Sequence, residues 1–99
     1  MTSLLKKPKS ISLYHYEQCP FCAKTRRAID ELDLDVELKD IKKNHKFCIE
    51  LFEGAHQAQV PCLCIKQLNG DDQWLYESDD IINYLAYQQN ELILLALTA

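Results

Sequence analysis

The sequence predicts a small α/β domain in which a four-stranded mixed sheet is flanked by about three helices. Three observations support this prediction. Strand-forming runs alternate with helical patterns in the first half of the chain. An Asn-Gly turn separates two further strand signals in the second half. A pair of cysteines, Cys19 and Cys22, lies where the first strand signal gives way to the first helix.

The first half of the chain alternates strand and helix signals. Residues 11–16, Ile-Ser-Leu-Tyr-His-Tyr, are rich in strand formers. Pro20 suits the first turn of a helix, where its missing N–H is no loss, and this helix is predicted to run to Leu32. Residues 35–41 predict a short second strand. A second helix is predicted to open within residues 42–46 and to stop at Gly54, with apolar positions at Phe47, Cys48, Leu51 and Phe52.

The second half predicts a hairpin and a final helix. Residues 61–65, Pro-Cys-Leu-Cys-Ile, are typical of a central strand with Pro61 at its first position. Residues 69–71, Asn-Gly-Asp, indicate a hairpin turn, and residues 73–77 predict the returning strand. Ser78 begins the third helix, because its hydroxyl can cap free N–H groups and two aspartates follow it. The order is βαβαββα, and a βαβ unit with Cys-x-x-Cys at its strand-to-helix turn is the thioredoxin-like arrangement.

Length and composition narrow the classes of function. Ninety-nine residues suit one domain, which we predict over residues 11–99 after a flexible arm at residues 1–10. The net charge of −4 argues against nucleic acid as a partner, because phosphate binding needs a basic face. The N-terminus lacks the apolar core of a secretory signal, and no apolar run approaches the roughly 18 residues of a membrane span. We therefore expect a cytoplasmic protein, with no membrane partner, whose five cysteines stay mostly reduced.

Cys19 and Cys22 are the candidate catalytic residues. If Pro20 opens the helix, Cys19 lies at the helix N-terminus, where free backbone N–H groups and the helix dipole favour a thiolate. Cys22 lies one turn further in, more enclosed but close enough to attack a mixed disulfide on Cys19. Cys19 therefore takes the role of nucleophile and Cys22 the resolving role.

Neighbouring residues affect this assignment in opposite directions. Pro20 stiffens the turn and Phe21 covers it. Glu17 opposes a thiolate electrostatically, so the helix terminus and the following cations must outweigh its charge. Those cations are on the next turns of the helix, at Lys24, Arg26 and Arg27.

Two other interpretations of the cysteine pair stay open. The pair could be unreactive packing residues. It could also join Cys62 and Cys64, which lie at i and i+2 on one face of a predicted strand, in a zinc site. Structural zinc usually takes its second pair of ligands from another tight turn, so we predict no metal site. Cys48, Cys62 and Cys64 are predicted core residues, with Cys62, next to Pro61, also a candidate regulatory thiol.

Two dipeptides further along the chain suggest ligand binding. Val60-Pro61 precedes the buried strand, and beside Cys19 a cis proline would let Val60 offer its N–H and C=O to an extended peptide. Glu77-Ser78 opens the last helix, and its simplest explanation is a helix cap. The same position can also hold a ligand carboxylate on backbone N–H groups and Ser78, while Glu77 or Asp79 takes an amine.

The combination of these motifs resembles the glutaredoxin family, in the branch similar to the N-terminal domain of glutathione S-transferases. The motifs are Cys-Pro-Phe-Cys at 19–22, Val-Pro at 60–61 and Glu-Ser-x-x-Ile-x-x-Tyr-Leu at 77–85, and the resemblance covers residues 11–88. It implies a monomeric glutathione-dependent oxidoreductase that reduces protein–glutathione mixed disulfides and small disulfides. Glutathione would be a co-substrate, with no tightly bound cofactor.

The resemblance also implies roles for individual residues. Cys19 would be the nucleophile, Cys22 the second cysteine and Pro61 the cis proline, while Val60 would bind the cysteinyl backbone of glutathione. Glu77 and Ser78 would bind its γ-glutamyl end. Tyr16 and Gln59 replace a lysine and a threonine that many glutaredoxins carry at these positions. The contact to the glycine carboxylate is unassigned, with candidates at Lys24, Lys42, Lys43 and Gln59.

Two functions of other classes remain as alternatives. One is an iron–sulfur or metal carrier that uses the first cysteine and glutathione as ligands, although by resemblance Pro20 disfavours it. The other is a non-catalytic binding module that uses the thioredoxin-like surface for a protein partner.

Overall fold

The structure, a computed structural model, describes residues 10–98, and the side chains of all of these except 92, 94–96 and 98. The predicted arm lies outside the described residues, apart from Ser10, which begins the first strand. The predicted order βαβαββα is confirmed. The elements are β1 Ser10–His15, α1 Pro20–Leu32, β2 Glu37–Asp40, α2 His45–Ala55, β3 Cys62–Lys66, β4 Asp72–Leu75 and α3 Ser78–Thr98.

The four strands form one mixed sheet in the order β2-β1-β3-β4. β1 and β2 are parallel because α1 connects them as a crossover. β3 runs antiparallel to both of its neighbours, and the turn at residues 69–71 joins it to β4 as a hairpin. This topology confirms the predicted thioredoxin-like fold.

Side chains point to opposite faces of the sheet in alternation along the central strands, so the core has two parts, one on each face. On one face, Leu13 of β1 and Leu63 and Ile65 of β3 pack with residues of α1 and α3. On the other face, Tyr14, Cys62 and Cys64 pack against α2. The prediction that Cys62 and Cys64 are core residues is therefore confirmed. Both thiols are almost inaccessible, and burial raises the pKa of Cys62 to about 12, which leaves it poorly suited to regulation at neutral pH.

The second helix differs from the prediction at its end and on its apolar side. Gly54 does not stop α2; the helix continues through Ala55 and ends at His56, whose φ of 62° is left-handed. Only one row of α2, Leu51 and Ala55, is buried against the sheet. Phe52 lies about 100° further around the helix and is 60% exposed, and Cys48 is half-buried. The prediction of Cys48 as a core residue was therefore wrong, and Phe52, although apolar, lies outside the core.

Smaller corrections concern the ends of the strands and of α3. β1 ends at His15, so Tyr16 lies in the connecting loop, and β3 begins after Pro61. Glu77 and not Ser78 occupies the capping position of α3, because the Ile81 N–H donates to the Glu77 carbonyl at 2.9 Å. Within residues 10–98, no helix is long and apolar enough to cross a membrane.

Candidate active site

Cys19 is the N-cap residue of α1. Its backbone is extended (φ −78°, ψ 120°), and its Sγ accepts a hydrogen bond from the Cys22 N–H at 3.3 Å. This geometry is the usual N-cap arrangement with sulfur in place of oxygen, and Pro20 takes the first helical position, where it loses no hydrogen bond. Cys19 is only 6% exposed. The predicted placement of Cys19 at a helix N-terminus is confirmed.

Cys22 lies in a different environment from Cys19. It is fully buried, and burial, together with its hydrogen bond to Cys19, raises the pKa of the Cys22 thiol to about 12. The Cys22 thiol therefore stays protonated at neutral pH. One member of the pair thus caps the helix, and the other is held as a buried thiol.

The three cations that follow Cys19 lie in different environments. The Lys24 Nζ lies 2.7 Å from the Asp79 Oδ1 at the start of α3. The Arg26 guanidinium turns back towards the loop before Cys19, where it donates to the Tyr16 and Glu17 carbonyls at 3.3 Å each. Arg27 is exposed. The predicted positions of these cations on the turns after Cys19 are confirmed, and the helix directs each side chain to a different surface.

The two lysines between β2 and α2 also contact the loop before Cys19. Lys43 Nζ lies 3.4 Å from the Glu17 carboxylate, and Lys42 Nζ lies 4.0 Å from the centre of the Tyr16 ring. Both lysines thus lie against this loop. Neither of them lines the groove beside the cysteine loop. The Glu17 charge, expected to oppose a thiolate, has a cationic partner.

A groove of about 260 Å³ opens beside the cysteine loop. The hairpin explains how it forms. Leu63 pairs with Leu75 in the β3–β4 register, and continuing that register towards the strand ends brings Val60-Pro61 opposite Glu77-Ser78. The Val60-Pro61 peptide bond is cis. The residues that line the groove are Phe21, Lys24, Gln59, Val60, Pro61, Tyr76, Glu77, Ser78 and Asp79.

The groove therefore brings together six of the predicted site residues from three separate segments. Cys19 and Cys22 do not line it; the groove begins two residues further on, at Phe21. Of the four candidates for a carboxylate contact, Lys24 and Gln59 line the groove. Tyr76 is a lining residue that the sequence reasoning missed, and its place directly before Glu77 was the available signal. Its hydroxyl donates to the Ala55 carbonyl at 3.1 Å, which joins the groove wall to the end of α2.

The groove has polar groups of both charges. Glu77 and Asp79 contribute carboxylates, Lys24 an ammonium group, and Ser78 a hydroxyl in the first turn of α3, where backbone N–H groups are free. Such an arrangement complements a small molecule that carries both carboxylate and amine. Among residues 10–98, no group of three His, Cys, Asp or Glu side chains is placed to hold a metal ion, so the four-cysteine zinc interpretation has no geometric support.

Comparison with known proteins identifies relatives of this fold. The family model described as glutathione S-transferase, N-terminal domain, matches residues 13–91. No curated protein matched the sequence.

Several solved structures share the fold. Glutathione transferase Omega 2S from Trametes versicolor superposes with a TM-score of 0.67 at 17% identity, over 83% of this chain and 37% of that one. A trimeric glutathione transferase of Leishmania gives 0.62 at 21% identity, over 77% of this chain and 17% of that one. Maleylacetoacetate isomerase from Anaeromyxobacter dehalogenans 2CP-1, solved with glutathione bound in its active site, gives 0.60 at 25% identity, over 83% and 38%.

The chain thus spans well under half the length of these three proteins. The family match covers most of the chain and includes α1, the Val60-Pro61 bond and the Glu77-Ser78 pair. It agrees with the resemblance that these motifs predicted. The chain belongs to the glutathione S-transferase N-terminal domain family.

Proposed function

We propose that this protein is a glutathione-dependent thiol–disulfide oxidoreductase that reduces mixed disulfides between glutathione and other thiols. The observation that carries the proposal is the Cys19 sulfur at the N-cap of α1, with a hydrogen bond from the Cys22 N–H and a groove beginning two residues away. In this proposal residues 11–99 act as one glutaredoxin-like domain, and Cys19 and Cys22 are its catalytic residues.

In the first step, the Cys19 thiolate attacks the glutathione sulfur of a mixed disulfide. A Cys19–glutathione disulfide forms, the original disulfide bond breaks, and the released thiolate takes a proton from water. The helix N-terminus favours this chemistry because its free N–H groups stabilise negative charge on the attacking sulfur. The attacking sulfur is oxidised to a disulfide, and the leaving thiol is reduced.

In the second step, a glutathione thiolate attacks the glutathione sulfur of that intermediate. Glutathione disulfide leaves, and Cys19 returns to its thiolate. The net reaction converts one mixed disulfide and one glutathione into one reduced thiol and one glutathione disulfide. Cys22 offers a second route, in which its sulfur attacks the Cys19 sulfur, a Cys19–Cys22 disulfide forms and glutathione leaves. Two glutathione molecules then reduce this disulfide and leave as glutathione disulfide. The full burial and raised pKa of Cys22 make the external thiol the faster attacker.

The groove supplies the proposed glutathione site. The Val60 backbone would pair with the cysteinyl residue of glutathione, as an added strand pairs with a sheet edge. The γ-glutamyl end would meet Glu77, Ser78 and the free N–H groups of α3. Lys24 and Gln59 remain the groove residues available for the glycine carboxylate.

A coupled assay tests the proposal. Turnover of a small glutathione mixed disulfide is followed with glutathione and glutathione reductase. The wild type, Cys19→Ser and Cys22→Ser are compared with Cys48→Ser as a control, since Cys48 lies on α2. We expect Cys19→Ser to abolish turnover, while the other two variants keep most of it. Wild-type turnover no greater than that of Cys19→Ser would refute the proposal.

A second assay separates this function from the reaction type named in the family. Conjugation of glutathione to an electrophilic aryl halide is measured in the same preparations. Conjugation without disulfide reduction would assign a transferase activity in place of the proposed one. A visible absorption spectrum after anaerobic purification tests the iron–sulfur alternative.

The binding site is tested separately from the reactive sulfur. We expect Glu77→Gln and Ser78→Ala each to raise KM for glutathione by about 10- to 100-fold, because a lost hydrogen bond to a charged group contributes roughly 1.5–3 kcal/mol. Asp80→Asn is the matched control, since Asp80 lies on the same turn of α3 but does not line the groove. Equal KM values in all of these proteins would place the ligand elsewhere.

A further inference from the structure

The guanidinium of Arg26 binds three groups in the segment that leads to Cys19. Its Nη1 lies 3.0 Å from the His15 Nδ1 at the end of β1 and donates to the Tyr16 carbonyl, and its Nη2 donates to the Glu17 carbonyl. These contacts tie the first two turns of α1 to the strand end and to the loop between them. No sequence motif singled out this arginine from Lys24 and Arg27.

The hydrogen bonds continue from Arg26 to the backbone of Cys19. The Tyr16 carbonyl that accepts from Arg26 also accepts from the Cys19 N–H at 3.3 Å. A carbonyl oxygen has two lone pairs and can serve both donors. The Tyr16 carbonyl therefore links the Arg26 guanidinium to the Cys19 backbone, which sets the position of the Cys19 sulfur.

The contact with Arg26 determines the protonation state and the tautomer of the His15 ring. An arginine has only donors, so the His15 Nδ1 must accept, and the ring is neutral with its proton on Nε2. His15 is 6% exposed, and burial followed by the Arg26 charge lowers the pKa of its imidazole. Asp40 and Glu17 act in the opposite direction, and Lys43 adds to the lowering. A neutral His15 thus lets Arg26 hold the segment near neutral pH.

We propose that Arg26 is a positioning residue for the nucleophile Cys19: its planar guanidinium fixes residues 15–17 and so holds the Cys19 sulfur at the N-terminus of α1. The assignment rests on the proposed function, because it gives Cys19 the role of nucleophile. A guanidinium suits this task better than an ammonium group, since its rigid fork donates to several acceptors at once. Lys24 cannot replace it, because its ammonium group is engaged with Asp79.

The experiment compares Arg26→Met and Arg26→Lys with Arg27→Met. Arg27→Met removes the same charge one residue away, from an exposed position. The pH dependence of Cys19 alkylation is measured by mass spectrometry, and His15 titration is followed by NMR. kcat and the KM for glutathione come from the coupled assay.

For Arg26→Met we expect Cys19 alkylation near neutral pH to fall about tenfold, because a sulfur displaced from the N-terminus of α1 loses the hydrogen bond from the Cys22 N–H that stabilises a thiolate. kcat should fall by a similar factor, while KM stays near the wild-type value because Arg26 does not line the groove. His15 should titrate at higher pH once the arginine charge is gone. Arg26→Lys should recover only part of the alkylation rate, and Arg27→Met should match the wild type.

Two results would overturn the assignment. One is a shifted His15 titration in Arg26→Met with Cys19 alkylation unchanged to within about twofold of the wild type. The other is complete recovery of alkylation in Arg26→Lys, which would show that charge alone suffices; this comparison also decides the question if Arg26→Met does not fold. A wild type without disulfide turnover would refute the proposed function, while the alkylation and NMR measurements would still decide the role of Arg26.

Discussion

The substitution Gly54→Ala has two opposing effects on stability at the contact between α2 and β4: alanine favours the helix, but its Cβ disturbs the packing. Gly54 lies in the last turn of α2, where alanine would favour the helix by about 1 kcal/mol. An added Cβ would collide with the Trp74 Cζ2 and would lie 2.8 Å and 2.9 Å from Cη2 and Cε2 of the same ring. Because carbon atoms normally approach to roughly 3.5–4.0 Å, the ring or the helix must move.

The indole ring has little freedom to move away from this contact. It is half-buried and packs against the Tyr14 ring, with the two ring centres 5.6 Å apart. Overpacking of this kind costs about 1–3 kcal/mol, and the severity of the overlap favours the upper half of that range. Subtracting the helix gain leaves a net loss of roughly 1–2 kcal/mol. For a domain of this size that lowers Tm by about 5–10 °C.

Thermal unfolding followed by circular dichroism measures the effect, and a double-mutant cycle separates the two contributions. In a Trp74→Leu background the steric conflict is gone, so Gly54→Ala should then raise Tm. A higher Tm for Gly54→Ala alone would refute the reasoning, because it would show that propensity exceeds the steric cost. Equal effects in both backgrounds would show that the indole ring is not responsible.

Three further predictions concern titratable groups. With a pKa of about 12, roughly one Cys22 thiol in 100,000 is ionised at neutral pH, so iodoacetamide should label Cys19 and spare Cys22; labelling of both at similar rates would contradict this. Burial lowers the pKa of His15 below its ordinary 6.5, so protonation favours the unfolded chain and stability should fall as pH drops below about 6.5; His15→Gln should flatten this decline in Tm measured from about pH 8 to 5. Tyr14→Phe removes the 3.0 Å hydrogen bond to Glu50 and should cost about 0.5–1.5 kcal/mol in urea unfolding, and an unchanged midpoint would mean that the bond contributes nothing.

Local patterns predicted the elements and the position of Cys19 because their causes are local. A proline with fixed φ favours the first turn of α1, and an Asn-Gly turn fixes the hairpin. Once the hairpin register is known, the meeting of Val60-Pro61 with Glu77-Ser78 follows from the spacing of residues along two paired strands.

The features that the sequence did not reveal depend on contacts between distant segments. Gly54 resembled a helix stop, yet it lies inside the helix, and the indole of Trp74 occupies the space that a Cβ would need. Lys24 and Arg26 looked equivalent on α1, and only the neighbouring chain segments decide that one binds Asp79 and the other the Tyr16 carbonyl. Long charged side chains have many conformers, so spacing alone does not identify their partners.

In the proposed reaction, the recessed position of Cys19 would restrict which disulfides can react. Attack requires the three sulfur atoms to lie nearly in line, so a substrate would have to bring its disulfide down to a cysteine of which only 6% is exposed. A glutathione adduct on a flexible or protruding segment would enter this space, where Phe21, 62% exposed at the rim, would offer it an apolar surface. A disulfide that lies flat between two packed segments of a folded protein cannot approach so closely. Access to the Cys19 sulfur would therefore select substrates by the shape around their disulfide. This selection would not depend on the amino-acid sequence of the substrate.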